Sequence, residues 1–411
     1  MHTSLVIPRA TLRRWMNTLT TGISPLGFCR LGVSVVDGRR SFYARDIHPI
    51  PALVDPVRFG TDHLLLTASE QEPPDWARQA WHPGLCCRLW LGRGRVAGMV
   101  KTPEGIAPLH SLSLPGSGMH RLFLTDDVAR PSLPDLARHS RTVGALGGED
   151  IWTRLAGLNV NVIGCGRTGS LVAGNLARLG TLRITLTDPD PLDEHSLGEM
   201  DLVTAELMGL PKSVAVARAL IGITRRGAQT YALPVPVSNP AAIDACRTSD
   251  VLFCCVDNDA ARLTAGILAA LHHKVLLDIG TGIRFSEIRN RVMGADLRLI
   301  LPGDGCLLCQ GNLANYARAV EEMVNGRVPL TTSDAWRQER AGSLRSLNQV
   351  AAGLATRLFE DVVAGRIRTS LWARVECDDS GRFDISYPQL PGRQGCPLCA
   401  RAGEGDAALR W

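Results

Sequence analysis

Hydrophobic and polar positions change their spacing about a third of the way along the chain. From residue 137 onwards, short apolar runs alternate with segments in which apolar residues recur every three or four positions. The short runs predict buried strands and the longer period predicts helices. The predicted strands are 158–164, 181–188, 248–257 and 274–280, and the predicted helices are 169–180, 209–223 and 259–273. This alternation predicts an α/β fold whose mostly parallel sheet is covered by helices on both faces.

The first third of the chain has a different pattern. Short β-like runs such as "CRLGVSVV" and "RLWLGRGRVAGMV" are interrupted by glycine and proline, which predicts a small mixed or β-rich domain. We therefore expect a smaller N-terminal α+β domain over residues 1–135, an α/β domain over residues 137–402 and a short tail over residues 403–411.

Length and charge narrow the possible classes of function. The chain has 411 residues and a net charge of +5, and its arginines are scattered rather than grouped. We therefore expect no nucleic-acid partner. No apolar stretch approaches the roughly 18 residues of a membrane span, and the first residues do not read as a signal peptide. These observations predict a cytoplasmic protein with no membrane partner.

A glycine-rich loop follows the first predicted strand of the α/β domain. In "NVIGCGRTGS", Gly164, Gly166 and Gly169 are spaced so that a strand turns tightly into a helix and a phosphate can approach the helix N-terminus. Asp188 ends the next strand, where a carboxylate accepts hydrogen bonds from ribose hydroxyls. The pattern predicts a Rossmann-like nucleotide site. A Rossmann-like crossover that binds no ligand is the alternative.

Two charged residues do not suit a nicotinamide-dependent dehydrogenase, which the glycine loop alone would allow. Lys212 begins a predicted helix and can reach phosphates, although a solvated helix lysine would have the same pattern. Asp257 follows an apolar strand at the sheet edge where ligands bind, and a carboxylate there suits magnesium on a triphosphate. Its alternative role is to cap the next helix.

Two cysteine pairs carry the most specific signal. Among twelve cysteines, "CLLC" supplies Cys306 and Cys309, and "CPLC" supplies Cys396 and Cys399. In a reducing compartment, two such pairs can close a tetrahedral thiolate site around a structural zinc ion. Two unrelated pairs or a redox dithiol are the alternatives.

Together these residues resemble the ubiquitin-activating enzyme family, which includes the adenylyltransferases of thiamine and molybdopterin biosynthesis. The matching string is "RHSR…NVIGCGRTGS…LTDPDPLDEHSL…GLPKSVAVA…CCVDNDAAR…CLLC…CPLC", within residues 137–402. The resemblance implies a ThiF-type adenylation domain that binds ATP, Mg²⁺ and structural Zn²⁺. The nucleotide-binding residues that it implies are Gly164, Gly166, Arg167, Thr168, Gly169, Asp188, Asp190, Lys212, Asp257 and Asn258.

The resemblance also implies a reaction and its partners. A carboxylate, typically at the C-terminus of a ubiquitin-like protein, would attack the α-phosphate of ATP and release pyrophosphate. Arg141, Lys212 and Asp257 would be the catalytic residues. Arg141 is implied to reach the phosphates of the opposite subunit, so we expect a homodimer. A conjugating-enzyme-like partner would receive the activated protein.

Two features depart from the family pattern. Glu199 stands where the family has an arginine on the nucleotide, so the phosphates lack one cation. The nucleophilic cysteine that many members carry between the two cysteine pairs is also absent. We expect the adenylate to pass directly to a partner's thiol. Hydroxyl nucleophiles are the alternative, and the available ones are Thr331, Thr332, Ser333 and Ser343.

The remaining cysteines and the N-terminal block add less. Cys254 and Cys255 fall in a predicted buried strand, and Cys377 falls in a predicted polar turn, so we interpret all three as incidental or packing residues. Residues 1–135 faintly resemble the metalloproteases that trim ubiquitin-like proteins. Their histidines lack the His-x-His spacing of that zinc site, so we expect a degenerate copy without protease activity, or a scaffold.

Four hypotheses about function follow. The first is an activating enzyme for a ubiquitin-like protein, in a pathway that resembles bacterial antiphage conjugation operons. The second is an adenylyltransferase for a sulfur-carrier protein or a peptide. The third is a pseudo-enzyme that binds a ubiquitin-like protein without turnover, which Glu199 favours. The fourth, an oxidoreductase, leaves Lys212, Asp257 and the cysteine pairs unexplained.

Overall fold

A computed structural model shows two sheets with helices packed against them. It describes residues 2–20, 26–50, 63–69, 81, 85–93, 95–102, 104–125, 136–224, 228–284, 292–310, 319–321, 323, 344–378, 380–389 and 394–406. Among the helices within these ranges, none is both long enough and apolar enough to cross a lipid bilayer.

The N-terminal part of the chain forms a ten-stranded sheet in the order β10-β9-β1-β3-β2-β5-β6-β7-β8, with β4 paired to β2. Its strands are β1 (Thr3–Val6), β2 (Leu26–Val36), β3 (Arg39–Ala44), β4 (His48–Ile50), β5 (His63–Ala68), β6 (Leu85–Leu91), β7 (Val96–Thr102), β8 (Gly105–Pro108), β9 (Ser111–Leu114) and β10 (His120–Phe123). Helix α1 (Arg9–Thr20) buries Trp15 in the core of this sheet. Gly27 of β2 leaves room for that indole, since a Cβ there would lie 2.5 Å from Trp15 Nε1.

The second sheet has eight strands in the order β13-β12-β11-β14-β15-β16-β17-β18. They are β11 (Asn159–Ile163), β12 (Arg183–Thr187), β13 (Gln229–Leu233), β14 (Val251–Cys254), β15 (Val275–Arg284), β16 (Val292–Ile300), β17 (Leu371–Cys377) and β18 (Phe383–Ser386). The first five strands in this order pair in parallel, and the last three extend the sheet by antiparallel pairing.

Helices cover both faces of the second sheet. They are α2 (Leu136–Leu146), α3 (Glu149–Ala156), α4 (Arg167–Leu179), α5 (Glu194–Leu197), α6 (Lys212–Ile221), α7 (Pro240–Thr248), α8 (Asp259–Leu271), α9 (Arg345–Val363) and α10 (Pro397–Ala400). Strand residues alternate between the faces. Phe253 of β14 packs with α4 and α9, where its ring meets Phe359, whereas its neighbours Leu252 and Cys254 pack with α7 and α8.

The α/β fold with a mostly parallel sheet is confirmed, and each predicted strand and helix of this region matches an observed element. Strand β15 continues past the predicted end at residue 280, because its partner β16 turns back antiparallel to it. The sequence pattern did not predict β16, and of β17 and β18 it indicated only that strands flank a polar turn near Cys377.

Residues 400–406, just beyond the second cysteine pair, join the two sheets. Gly405 forms a parallel bridge with Val33 of β2. Arg45 pairs with Glu404, with 3.3 Å between Nη1 and Oε1. The segment therefore docks on the N-terminal sheet instead of extending into solvent.

Candidate nucleotide and metal sites

The glycine loop joins β11 to α4 and leaves an open space at the helix N-terminus. Gly164 adopts φ +86°, which favours glycine, and a Cβ there would lie 2.7 Å from the Cys255 carbonyl oxygen. A Cβ on Gly169 would collide with the carbonyl oxygen of Gly164. A Cβ on Gly166 would meet no atom within 4 Å. The loop is thus compact where helix and strand meet and open where a phosphate would meet the first amides of α4.

Asp188 supports the loop from the neighbouring strand. Its Oδ2 accepts a hydrogen bond from the Cys165 amide at 2.6 Å, and its Oδ1 accepts one from the Asp190 amide at 2.9 Å. Burial raises the pKa of the Asp188 carboxyl above its ordinary value, and these hydrogen bonds act against that rise. The carboxyl group therefore holds the loop and the end of its own strand together.

Lys212 begins α6 and is tied to the same strand end. Its Nζ lies 3.2 Å from Asp190 Oδ2, and its amide donates to the Asp190 carbonyl oxygen at 2.8 Å. Ser213 Oγ donates to the Asp188 carbonyl oxygen at 3.1 Å. These contacts bring the lysine next to the residues that support the glycine loop.

Asp257 lies directly beyond β14, beside the glycine loop. The Cys255 amide donates to the Ile163 carbonyl oxygen at 2.7 Å, which joins this segment to the last residue of β11. Asn258 caps α8, since its side chain accepts a hydrogen bond from the Ala261 amide at 2.8 Å. The capping role considered for Asp257 therefore belongs to Asn258, and the Asp257 side chain is exposed at the carboxyl edge of the sheet.

A buried ion pair underneath this edge was missed by sequence reasoning. Arg262 Nε lies 3.0 Å from Asp278 Oδ1, and Asp278 is fully buried. Arg262 also donates from Nη2 to the Val256 carbonyl oxygen at 2.9 Å. The charge of Asp278 raises the pKa of Arg262, so the guanidinium stays charged. Arg262 therefore holds the segment that carries Asp257. The only signal for this role in the sequence was its position in "CCVDNDAAR".

Arg141 lies on the exposed side of α2, away from the glycine loop. His139, two residues earlier, packs against Trp152 and against Gly180, which caps the C-terminal end of α4. The glycine loop is at the other end of this 13-residue helix, about 20 Å away at a rise of ~1.5 Å per residue. Within one chain, the structure does not bring Arg141 to the loop.

Glu199, the departure from the family pattern, contacts the loop. Its Oε2 lies 3.7 Å from Arg167 Nε, and both side chains are more than a third exposed. Thr168 is buried behind Arg167 in the first turn of α4. The first residue of α4 therefore offers a cation at the phosphate end of the helix, and an acidic neighbour partly neutralises it.

The four cysteines meet in one cluster. Their sulfur atoms all lie within 4.8 Å of one another. Cys306 Sγ is 3.8 Å from Cys309 Sγ and 3.5 Å from Cys396 Sγ, and Cys309 Sγ is 3.4 Å from Cys399 Sγ. Zinc with sulfur ligands at about 2.3 Å holds them roughly 3.8 Å apart in a tetrahedron. The cluster can therefore hold a zinc ion, with no coordination position left open for catalysis.

The other cysteines of the domain lack the features of a nucleophile. Burial raises the pKa of Cys165, Cys254 and Cys255, which keeps these thiols protonated. The interpretation that Cys377 lies in a polar turn was wrong, because this residue ends β17 and is buried by the sheet pairing. The four candidate hydroxyl nucleophiles lie outside the described residues.

The loop, the charged residues around it and the thiol cluster define an α/β domain of the nucleotide-binding type with a four-cysteine cluster that can hold a metal ion. The profile of the ThiF family matches residues 138–367, more than half of the chain. The chain therefore belongs to the ThiF family.

Individual relatives are more distant. Over 148 residues, 35% of this chain and 32% of the relative, it is 33% identical to the adenylyltransferase and sulfurtransferase MOCS3 of Xenopus laevis, so the match spans about a third of that protein. It is similar to E. coli MccB + MccA-N7isoASN with a TM-score of 0.50 and 18% identity, over 64% of this chain and 74% of MccB. The structure of E. coli MccB with ATP aligns with a TM-score of 0.49 and 18% identity, over 66% of this chain and 76% of MccB.

Proposed function

We propose that this enzyme uses ATP to adenylate the C-terminal carboxylate of a ubiquitin-like protein and then passes the activated protein to a conjugating-enzyme-like partner. The observation that carries the proposal is the chain of contacts from the open glycine loop through Asp188 and Asp190 to Lys212. It supports a site with a phosphate pocket, a ribose carboxylate and a cation in one place. A dehydrogenase needs no such lysine.

The proposed reaction uses these groups for positioning and charge. The first amides of α4 and the Lys212 ammonium bind phosphate oxygens, and Asp188 orients the ribose. Asp257 is the residue that would hold Mg²⁺, which supplies neutralisation of phosphate charge when bound. A substrate carboxylate oxygen attacks the α-phosphorus while the bond from that phosphorus to the bridging oxygen breaks. The products are an acyl-adenylate and pyrophosphate.

An exposed apolar edge favours a folded protein as substrate. Phe383, Ile385 and Tyr387 are 60%, 50% and 62% exposed along the edge strand β18 and the residue after it. In the register of the sheet, Phe383 and Ile385 lie opposite Cys377 and Val375, which are buried. The apolar face of the sheet thus continues beyond its covering, as expected for a surface that a protein partner contacts.

The absence of the family cysteine, the N-terminal domain and the resemblance to bacterial conjugation operons support an antiphage-type pathway in the cytoplasm. A homodimer is part of the proposal, because Arg141 belongs to α2, whose His139 packs beside Gly180 at the end of α4 opposite the glycine loop of the same chain. The second candidate is adenylation of a sulfur-carrier protein, which the identity to MOCS3 favours.

Pyrophosphate exchange tests the proposal directly. Purified enzyme, ATP, Mg²⁺ and labelled pyrophosphate are combined with a ubiquitin-like protein, a sulfur-carrier protein or a short peptide. Exchange that requires the ubiquitin-like protein is the expected result. Exchange with the sulfur carrier or the peptide supports the second candidate. ATP binding without any pyrophosphate exchange would contradict both candidate activities and support a pseudo-enzyme.

A further inference from the structure

Asn348 is a buried residue that connects three elements around the glycine loop. It lies on α9 and is 0% exposed. Its Oδ1 accepts a hydrogen bond from Thr281 Oγ1 at 2.7 Å and is 3.4 Å from Thr168 Oγ1. Thr168 belongs to the first turn of α4, and Thr281 belongs to β15. The side chain therefore lies between the phosphate end of α4 and the carboxyl edge of the sheet.

The side-chain amide nitrogen of Asn348 has an unused hydrogen-bond donor among the described residues. Among the described residues, Nδ2 has no hydrogen-bond partner although it is buried. A distance of 2.7 Å to Thr281 suits an O–H···O bond better than an N–H···O bond, so the oxygen faces the threonines and the nitrogen is the free end. A buried donor without an acceptor is costly, and bound ligand is one means of satisfying it.

The order of the strands indicates which ligand would accept a hydrogen bond from Asn348 Nδ2. Asp188, Asp190 and Lys212 approach the glycine loop from β12 and the helix beyond it. Thr281 and Asn348 approach it from the opposite side, since β14 and then β15 follow β11 in the sheet. The ribose carboxylate Asp188 and the cation Lys212 are thus on the β12 side of the loop, and Asp257 follows β14, the strand between β11 and the β15 strand of Thr281. The incoming carboxylate has the other side available.

We propose that Asn348 is a specificity-determining residue for the acyl substrate, and that its Nδ2 donates a hydrogen bond to the carboxyl oxygen that becomes the acyl carbonyl. This proposal rests on the proposed adenylation of a carboxylate. The two threonine hydroxyls orient the amide by holding its oxygen, so the donor is fixed before the substrate arrives.

Two defined small molecules test this role without a protein substrate. Glycyl-sulfamoyladenosine mimics an aminoacyl-adenylate, and adenosine 5′-sulfamate lacks the acyl group. Wild-type enzyme is expected to bind the glycyl compound more tightly by calorimetry. Asn348→Leu is expected to reduce that preference about tenfold, the loss of one hydrogen bond, with affinity for adenosine 5′-sulfamate unchanged.

Asn175 supplies a matched control. Its Nδ2 donates to Thr356 Oγ1 at 3.3 Å, so it also joins α4 to α9, but further from the loop. Asn175→Leu is expected to leave the preference for the glycyl compound intact. If Asn348→Leu does not fold, judged by thermal unfolding, Asn348→Ser shortens the side chain and is expected to show the same loss.

The outcomes separate the two proposals. If the Asn348 variants bind both analogues more weakly by the same factor, the amide contacts the nucleotide or serves packing, and its proposed contact with the acyl group is overturned. An unchanged preference overturns it as well. Wild-type enzyme that binds neither analogue lacks an adenylate site, which removes the proposed function together with this inference. Binding of both analogues, with only the acyl preference lost in the variants, supports it.

Discussion

The sulfur atoms of Cys306 and Cys396 lie 3.5 Å apart although 90 residues separate them in the chain. The cluster that contains both cysteines also includes Leu398 of the short helix α10. A metal bound by all four thiols would therefore fasten the segment that leads to residues 400–406.

Removing one thiol should release this metal. Cys396→Ser is expected to lower the zinc content from one ion per chain to none and to reduce the free energy of unfolding by about 4 kcal/mol or more, because a lost metal is among the large destabilising changes. Elemental analysis and denaturant unfolding measure both. The buried Cys377 lies outside the cluster, so Cys377→Ser should retain zinc. Zinc retained by Cys396→Ser would contradict the site.

Lys212→Ala should abolish catalysis without unfolding the protein. The lysine is expected to neutralise phosphate charge in the transition state, so pyrophosphate exchange should fall at least about 100-fold. Loss of its ion pair with Asp190 should change stability by only about 1 kcal/mol. Arg218, exposed in the last turn of the same helix, provides the control: Arg218→Ala should retain wild-type exchange. Normal exchange in Lys212→Ala would exclude the assigned role.

Arg141 should act on the neighbouring subunit. Arg141→Ala and Lys212→Ala enzymes are each expected to be inactive, whereas their mixture should recover activity through dimers that contain one chain of each. Random exchange of subunits predicts about a quarter of wild-type pyrophosphate exchange, since half of the dimers are mixed and each has one intact site. A mixture as inactive as its components would argue against action in trans, provided that mixed dimers are detected by differently tagged chains.

Acid should weaken the junction between the two sheets. Burial lowers the pKa of His273 to about 4, with Lys274 and Arg45 adding to the effect, and its Nε2 contacts the Ala44 carbonyl oxygen at 2.8 Å. The unfolded chain therefore binds a proton more readily between about pH 6.5 and 4, and stability falls as the pH falls through that window, by about 3 kcal/mol for this group.

Denaturant unfolding between pH 7 and 4 measures this dependence. His273→Asn is expected to weaken this dependence of stability on pH, because asparagine tolerates the positive φ of 49° at this position and does not titrate. Part of the change in unfolding free energy with pH should persist, since burial also lowers the pKa of the neighbouring His272. His48, exposed on β4, gives the control, and an equal effect of His48→Asn would contradict the assignment.

Local patterns predicted the parallel sheet and the positions where strands end. Gly164 and Asp188 were identifiable because a parallel strand delivers its carboxyl end to one edge of the sheet, and spacing in sequence is enough to find it. The choice between Asp257 and Asn258 as helix cap was not available from sequence, since both side chains can accept an amide hydrogen bond. Only the geometry assigns the cap to Asn258.

Long-range partners could not be predicted in the same way. Asp278 meets Arg262 because β14 and β15 are adjacent, and Asn348 meets Thr168 because α9 packs on α4. Neither pairing follows from a periodic pattern, and each residue alone reads as an ordinary helix or strand position. The distance between Arg141 and the loop likewise depends on how α2 packs against the far end of α4.

The bridge between Val33 and Gly405 has a consequence for biosynthesis. The strand that contains Val33 leaves the ribosome hundreds of residues before its bridging partner is made. The first sheet must therefore wait, with that contact surface unprotected, until translation has passed the second thiol pair. The four thiols of the metal-binding cluster are likewise complete only once Cys399 has been made, so the cluster and the bridge between the two sheets both form late in synthesis.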